Sequence, residues 1–187
     1  MTTALIIIDL QNAILRGLGT SERQPAIDAA LDAMTARVAE VQTKARKAGI
    51  PIVAVQHDGA TGHRLQTGSE GWALRAEIAP LPGEPVVHKT ACDSFFATDL
   101  QATLERLAAH HLIVAGCMSQ FCVDTTCRRA VSLGYDVTLL SDGHMTADMG
   151  SLTFDQIIAH HNALLDGFDA GHRTVTLTTC EEVPFER

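Results

Sequence analysis

The sequence predicts a single three-layer α/β/α domain, in which helices cover both faces of a parallel sheet. Short apolar, β-branched segments alternate along the chain with segments whose apolar residues recur every third or fourth position, as in βαβ units. The strand segments are apolar throughout, which is typical of strands buried on both faces. The 187 residues contain no internal repeat, low-complexity tract or long linker. We therefore expect one domain over residues 1–187.

Six apolar segments are predicted to be strands. The first begins almost at the N-terminus and ends in an acidic residue, Asp9. The second is entered through Pro51 and is followed by a loop rich in glycine, from His57 to Gly71. In chain order, the predicted strands span residues 4–9, 50–56, 84–89, 111–116, 136–142 and 173–179.

Four segments with helical spacing lie between these strands. The longest carries a stripe of apolar residues that includes Ile27, Leu31 and Met34, and Gly49 fits its C-terminal end. The predicted helices span residues 25–48, 98–110, 120–133 and 152–165. Right-handed crossovers between parallel strands then place helices on both faces of the sheet.

The carboxyl ends of the predicted strands bring chemically active side chains to one edge of the sheet. Asp9 ends the first strand, Lys89 ends the third, and the fourth runs into a cysteine-rich segment. In open α/β sheets, functional groups gather beyond the carboxyl ends of the strands, near the switch in strand order. We therefore expect an acid, a lysine and a cysteine at one site.

Composition excludes several classes of protein. The net charge is −8, the 14 Lys and Arg residues are scattered, and aromatic residues make up 4% of the chain. A nucleic-acid partner is therefore not expected, because it needs a basic stripe or a base-stacking platform. No window reaches the about 18 uninterrupted apolar residues of a membrane span. The N-terminus lacks signal-peptide features, so we expect a cytoplasmic protein with reduced thiols and no membrane partner.

Three of the five cysteines, Cys117, Cys122 and Cys127, lie five residues apart in one segment. The odd count disfavours a disulfide framework, and structural zinc sites usually pair ligands about two to four residues apart. Packing in an apolar interior fits Cys117 and Cys127 and is the commoner role of a lone cysteine. Spacing alone therefore leaves two roles open for Cys122, a buried apolar residue or a reactive thiol.

The neighbours of Cys122 favour the reactive thiol. Cys122 lies near the predicted start of a helix, where the partial positive charge, together with Lys89, is expected to lower the thiol pKa. Asp9 is placed to hold Lys89 and to transfer protons. Backbone N–H groups in the CMSQFC turn are candidates for an oxyanion site. Each residue alone also fits an ordinary structural role, and only the three together indicate catalysis.

Three blocks of the sequence resemble the signature blocks of the isochorismatase-like cysteine hydrolases: ALIIIDLQN, VVHKTACDSFFATDL and VAGCMSQFCVDTTCRRAVSLGYDVTLLSD. The likeness extends over nearly the whole chain, and the blocks fall in the family's order and spacing. It implies a Rossmann-like α/β/α sandwich with a six-stranded parallel sheet. It also implies a catalytic triad, in which Asp9 and Lys89 support Cys122 as the nucleophile.

The resemblance has further implications for the nucleophile turn. It implies a cis peptide bond between Cys117 and Met118, which turns the Met118 N–H toward the point that the Cys122 N–H faces and so forms an oxyanion hole. Ser119 stands where many relatives have threonine, so the hydroxyl is kept. The resemblance and the apolar content also lead us to expect a homodimer or a higher homo-oligomer.

One branch of the family departs from this sequence at its metal site. The metal-binding nicotinamidases carry an Asp-x-His pair and a further histidine after the second strand, where this chain reads QHDGATGH. The paired positions hold His57 and Gly59, and glycine has no side chain that can coordinate a metal. We therefore expect catalysis without a metal or other cofactor. His57, Asp58 and His63 keep a metal-dependent, nicotinamidase-type amidase open as an alternative.

These observations predict hydrolysis of a small amide-like (C–N) substrate through a thioester on Cys122. Family branches that cleave the vinyl ether of isochorismate lack the nucleophilic cysteine, so its presence favours acyl chemistry. The alternatives from other classes are a thiol protein that hydrolyses nothing and a binding module on the same fold. Trp72 is equally compatible with a pocket wall and with a packed loop. Candidate substrate-binding residues are Gln11, Gln56, His57, Trp72, Phe95, Gln120 and Phe121.

Overall fold

The computed structural model describes residues 2–185 and contains a seven-stranded sheet. The strands are β1 (Thr2–Ile8), β2 (Ile52–His57), β3 (Val86–Lys89), β4 (Ala109–Cys117), β5 (Asp136–Met145), β6 (Asp169–Ala170) and β7 (Arg173–Thr178). The helices are α1 (Gln24–Ala48), α2 (Leu100–Arg106), α3 (Asp124–Ser132) and α4 (Phe154–Leu165). A π-helical turn, Ser119–Val123, precedes α3. The predicted fold class is confirmed.

The strand order is β3-β2-β1-β4-β5-β7-β6, and all pairs are parallel except β6 with β7. The chain adds strands on one side of β1 and then crosses to the other side, so the switch in strand order lies between β1 and β4. The sequence predicts six strands, and β6 is the addition. It has only two residues and forms a hairpin with β7, which is too short for a pattern of apolar residues to reveal.

Two apolar layers, one on each face of the sheet, explain why the strands are apolar throughout. In β1, Leu5 and Ile7 face the layer that α1 covers, whereas Ile6 and Ile8 face the layer that α2 and α3 cover. All four side chains are at most 1% exposed. Burial on both faces therefore fixes β1 as a central strand, and its carboxyl end lies at the centre of the sheet edge.

Several element boundaries differ from the predictions. The helix predicted over residues 98–110 ends at Arg106, because Ala108 adopts a left-handed conformation (φ 51°) and Ala109 already pairs with β1. The strand predicted over residues 136–142 continues to Met145 after a shift of register against β4. The second difference matters for function, because it brings His144 beside Gly116. Within residues 2–185, no helix has the length and apolar character needed to cross a membrane.

Candidate active site

A close approach of β1 and β4 builds the base of the site. Gly116 pairs with Ile8 and has φ +127°, and a Cβ atom there would lie 2.0 Å from the Ile8 carbonyl oxygen. Only glycine fits at this position. As a result, the chain leaves β4 directly beside the end of β1. Asp9, which follows β1 in a left-handed conformation (φ 52°), thus lies next to the turn that carries Cys122.

The three predicted catalytic side chains meet at this point. The Lys89 ammonium lies 2.6 Å from Asp9 Oδ2 and donates a hydrogen bond of 3.1 Å to Cys122 Sγ. A second hydrogen bond, of 3.0 Å, goes from the ammonium to the Ala91 carbonyl oxygen. Lys89 is 2% exposed and Asp9 is 1% exposed, so their charges are paired out of contact with solvent. Removing either partner would leave the other charge buried and unpaired.

Burial controls the protonation of these groups. Burial raises the pKa of the Asp9 carboxyl, although Lys89 acts in the opposite direction. Burial also disfavours the Lys89 ammonium, but attraction to the Asp9 carboxylate, and to Cys122 when that thiol is deprotonated, outweighs that effect and raises the pKa of Lys89. Burial, followed by the Asp9 carboxylate, raises the pKa of the Cys122 thiol to about 12. The expectation of a lowered thiol pKa is therefore wrong.

Cys122 lies in the first helical turn after β4. The peptide bond between Cys117 and Met118 is cis, and Cys122 lies in the π-helical turn that follows. The π-helical turn runs directly into α3 at Asp124, so Cys122 lies in the first turn of a continuous helix. The helix N-terminus favours the thiolate, but burial and the Asp9 carboxylate outweigh it and raise the thiol pKa. Cys117 and Cys127 are fully buried in the two apolar layers, as predicted for packing residues.

A buried chain of hydrogen bonds supports the nucleophile turn from behind. His144 Nε2 lies 2.9 Å from Asn162 Oδ1, and Asn162 Nδ2 donates to the Ser141 carbonyl. Burial lowers the pKa of His144, which is therefore neutral. Because Nε2 carries its proton toward Asn162, Nδ1 accepts a hydrogen bond of 2.7 Å from the Ser119 hydroxyl. The Ser119 hydroxyl thus forms a hydrogen bond whose partner the sequence did not reveal.

A cavity of about 510 Å³ opens above Cys122. Asp9 and Cys122 line the cavity, and Lys89 contacts both from outside the lining; we call these three residues the floor. We call residues 63–65 and 147–150, which come from two loops, its outer wall. The sides between them are mostly apolar and include Ile14, Leu18 and Phe121. This volume lies within the range of about 300–1,000 Å³ that is usual for small-molecule sites.

The structure places most of the predicted substrate-binding residues elsewhere. Of the seven, His57 and Phe121 line the cavity. Gln11 is buried, and its amide donates to the carbonyl oxygens of His57 and Trp72. The amide of Gln56 also donates to the Trp72 carbonyl. These glutamines therefore hold the backbone of the loop after β2, a role that a strand-end position does not distinguish from ligand binding.

The remaining candidates also have structural contacts. The Trp72 indole N–H donates to Asp58 Oδ1 over 2.7 Å, and its ring stacks on His88, so the packed-loop alternative describes it. Phe95 is buried against Tyr135 in the layer beneath α2 and α3. Gln120 contacts the Met149 sulfur beside the cavity at 4.0 Å. None of these three lines the cavity over the described residues.

Sequence reasoning missed most of the outer wall. Arg64, Asp148 and Met149 line the cavity, and all three lie on loops between predicted elements. Asp148 is held by an ion pair of 2.7 Å with Arg23 and accepts the Phe154 N–H at the start of α4. The sequence does show a charged residue in each of these loops beyond the carboxyl end of a strand, which could have indicated the outer wall. It does not, however, show which way a loop side chain points.

The residues after β2 do not fit a metal site. Over residues 2–185, no group of three or more His, Cys, Asp and Glu side chains is arranged to hold a metal. Asp58 is already bonded to Trp72 and His88, and His63 Nδ1 accepts the Leu65 N–H. A side chain at Gly59 would collide with His63 and with the Leu65 carbonyl. His57 also lacks a positive charge, because burial and then Lys89 lower its pKa to about 4.

Comparison with known proteins identifies a matching family and several relatives of this chain. The model of the isochorismatase domain matches residues 3–180. Streptothricin hydrolase from Streptomyces noursei is 37% identical over 146 residues, which cover 78% of this chain and 50% of that protein. This chain therefore spans half the length of that relative. Ureidoacrylate amidohydrolase RutB from Variovorax paradoxus (strain S110) is 28% identical, with 75% of this chain and 67% of that protein covered.

A solved structure agrees with these relatives. The crystal structure of an isochorismatase from Pseudomonas putida KT2440 is 30% identical and superposes with a TM-score of 0.84. The superposition covers 97% of this chain and 90% of that one. The parallel sheet, the match over residues 3–180 and these similarities lead to one conclusion. The chain belongs to the isochorismatase family.

Proposed function

We propose that this protein hydrolyses a small amide-like substrate through a thioester on Cys122. One observation carries the proposal: the Lys89 ammonium contacts both the Asp9 carboxylate, at 2.6 Å, and the Cys122 sulfur, at 3.1 Å, at the floor of the cavity. A base, a cation and a nucleophile in mutual contact are the parts that acyl transfer requires. Two relatives named as a hydrolase and an amidohydrolase support the reaction class.

The first half of the reaction forms the thioester. Because the pKa of Cys122 is about 12, the resting thiol is neutral at neutral pH. Its proton passes to the Asp9 carboxylate as the sulfur attacks the substrate carbonyl carbon. Burial raises the pKa of Asp9 and so makes it a stronger base than an exposed aspartate. The backbone N–H groups of Met118 and Cys122 are the proposed donors to the oxyanion.

The second half releases the products. Protonated Asp9 gives its proton to the substrate nitrogen, the C–N bond breaks, and the amine leaves. A water molecule then attacks the thioester carbonyl and loses a proton to Asp9. The C–S bond breaks, the carboxylic acid departs, and the Cys122 sulfur regains a proton. Lys89 stays protonated throughout, because Asp9 and Cys122 raise its pKa, and it keeps the carboxylate and the sulfur together.

The test joins a substrate screen to detection of the intermediate. The purified protein is incubated with primary amides, lactams, ureas and simple esters, and released amine or acid is measured. Acid-quenched samples are then analysed by intact-protein and peptide mass spectrometry. We expect turnover of a C–N substrate and an acyl adduct on the peptide that contains Cys122. Cys122→Ala should show neither, whereas Cys180→Ala, which removes a buried thiol outside the cavity, should show both.

The other classes give different results in the same experiment. A redox or conjugating thiol protein modifies Cys122 without releasing acid, and Asp9→Asn and Lys89→Met leave that modification intact. A binding module shows no turnover and no adduct with any substrate class. Turnover that persists in Cys122→Ala would contradict the thioester mechanism directly.

A further inference from the structure

Arg64 brings an unpaired guanidinium to the outer wall of the cavity. Its Nε donates to the Ile14 carbonyl oxygen over 2.9 Å, and its Nη2 lies 3.9 Å from the Met118 sulfur. These contacts hold the half-buried side chain across the nucleophile turn. Over residues 2–185, Arg64 forms no ion pair, and its Nη1 donates no hydrogen bond. A guanidinium has five N–H donors, so most of its bonding capacity is free.

The carboxylates that line the same cavity cannot neutralise Arg64. Asp9 is paired with Lys89 at 2.6 Å, and Asp148 is paired with Arg23 at 2.7 Å. His57, which also lines the cavity, does not add a positive charge at neutral pH, since its pKa is lowered to about 4. Each of the two acids thus has its own cation, and Arg64 has no anion. The outer wall therefore carries a local positive charge on a chain whose net charge is −8.

An uncompensated cation at a partly buried position is unfavourable unless something in the functional state pairs with it. Burial lowers the pKa of Arg64, which reflects the same cost, and the negative form of Cys122 is the group that acts against it. A guanidinium fork matches the geometry of a carboxylate, which accepts two parallel hydrogen bonds. The guanidinium therefore suits a planar anion in the cavity that Cys122 also lines.

We propose that the substrate carries a carboxylate in addition to the scissile amide and that Arg64 binds this carboxylate. Apolar side chains, among them Ile14, Leu18 and Leu65, line the same cavity as the guanidinium and Cys122. They fit a short aliphatic spacer between the two polar ends of the substrate. The substrate class is thus a short ω-amido acid or a related N-acyl or ureido acid. The identity of the scissile bond rests on the proposed function, whereas the binding of a carboxylate by Arg64 does not.

The test measures binding without turnover. In a Cys122→Ala background, dissociation constants are measured by calorimetry for the acids malonamate, succinamate and glutaramate and for the matching neutral diamides. Each pair differs only by a carboxylate against a primary amide. We expect at least one acid to bind about tenfold or more tightly than its diamide. Adding Arg64→Gln should reduce that preference to within about twofold, and Arg64→Lys should keep part of it.

A charge-matched control separates Arg64 from a general field effect. Arg16→Gln removes one exposed positive charge outside the cavity, and the preference should survive it. A preference that survives Arg64→Gln, equal affinities of acid and diamide, or no binding by any acid would each overturn the inference. Hydrolysis in the Cys122-containing protein is scored separately. Arg64-dependent binding without hydrolysis would overturn the proposed function alone, and hydrolysis of the diamides without any acid preference would overturn the inference alone.

Discussion

The floor and the outer wall of the cavity differ in how their charges are satisfied. On the floor, Asp9 and Lys89 are almost fully buried and form an ion pair of 2.6 Å. On the outer wall, Met149 is 47% exposed and Arg64 has no counter-ion within residues 2–185. The charges on the floor are paired within the chain, whereas the guanidinium on the wall has no anionic partner among residues 2–185. This difference fits our proposals that the strand ends supply the bond-breaking chemistry and that the loops select the substrate.

The largest expected effect separates the two regions by their kinetic parameters. Lys89→Met leaves Asp9 buried without its cation, so the carboxyl is expected to stay protonated and to stop acting as a base. We expect kcat to fall by roughly 10²–10⁴-fold. Met149→Ala on the outer wall should change KM by less than about tenfold and leave kcat nearly constant. Steady-state kinetics on a substrate from the screen measures both.

Circular dichroism and thermal melts serve as the control for folding in these variants. If folded Lys89→Met kept a near-normal kcat, the floor would not act as one catalytic unit. If Met149→Ala changed kcat as strongly as Lys89→Met, the division between floor and wall would be wrong.

The second-largest expected effect is on the free energy of unfolding and compares substitutions at Gly116 and Gly150. Gly116→Ala places a Cβ atom 2.0 Å from the Ile8 carbonyl oxygen at φ +127°. We expect it to lower the free energy of unfolding by more than about 3 kcal/mol or to prevent folding. In Gly150→Ala, the added Cβ atom would have no neighbour within 4 Å, so the only cost is the left-handed backbone conformation at φ +60°. Its expected loss is about 1–2 kcal/mol. Urea unfolding compares the two variants, and equal losses would show that the close approach of β1 and β4 is not a constraint.

The smallest effect concerns pH and His57. In the folded protein the pKa of His57 is about 4, against an ordinary value of 6.5. The unfolded chain therefore binds more protons between these values, and the stability associated with His57 is fully present above pH 6.5 and decreases as pH falls toward 4. After allowance for partial exposure, we expect a loss of about 1–2 kcal/mol over this window.

His57→Gln should remove that part of the pH dependence. Urea unfolding at about pH 7.5 and about pH 4.5 measures the difference for both proteins, and the measurement at the higher pH is the control for other effects of the substitution. Identical acid sensitivity in the variant and the wild type would show that His57 is not the group that titrates.

The floor was predictable because it depends on local rules. Asp9 and Lys89 end predicted strands, and the carboxyl ends of parallel strands meet at one edge of a sheet. The protonation of Cys122 was not predictable in the same way. Sequence spacing indicates a helix start and a lysine, both of which lower a thiol pKa. The sign changes because the structure buries the sulfur beside Asp9, and burial depends on packing from several elements.

The outer wall and the supporting histidine depend on non-local contacts. Arg64 is oriented by the carbonyl oxygen of Ile14, 50 positions earlier in the chain. His144 reaches Ser119 only because β5 shifts register against β4, so that Gly116 pairs with His144 after Val114 has paired with Leu139. No periodicity in the sequence encodes such a shift. The same limit applies to Trp72, whose partner Asp58 lies across the loop after β2.

The ion pair between Lys89 and Asp9 also restricts the routes by which this sequence can change over evolutionary time. Lys89 has the largest side chain among the fully buried residues that the structure describes, and its ammonium lies 2.6 Å from the Asp9 carboxylate, with both side chains at most 1% exposed. A single substitution of either residue strands a charge in the interior, whereas a simultaneous replacement by apolar residues of similar volume does not. An ancestor with the pair and a descendant without it are therefore separated by a less stable intermediate, so selection for stability alone disfavours single substitutions at either position.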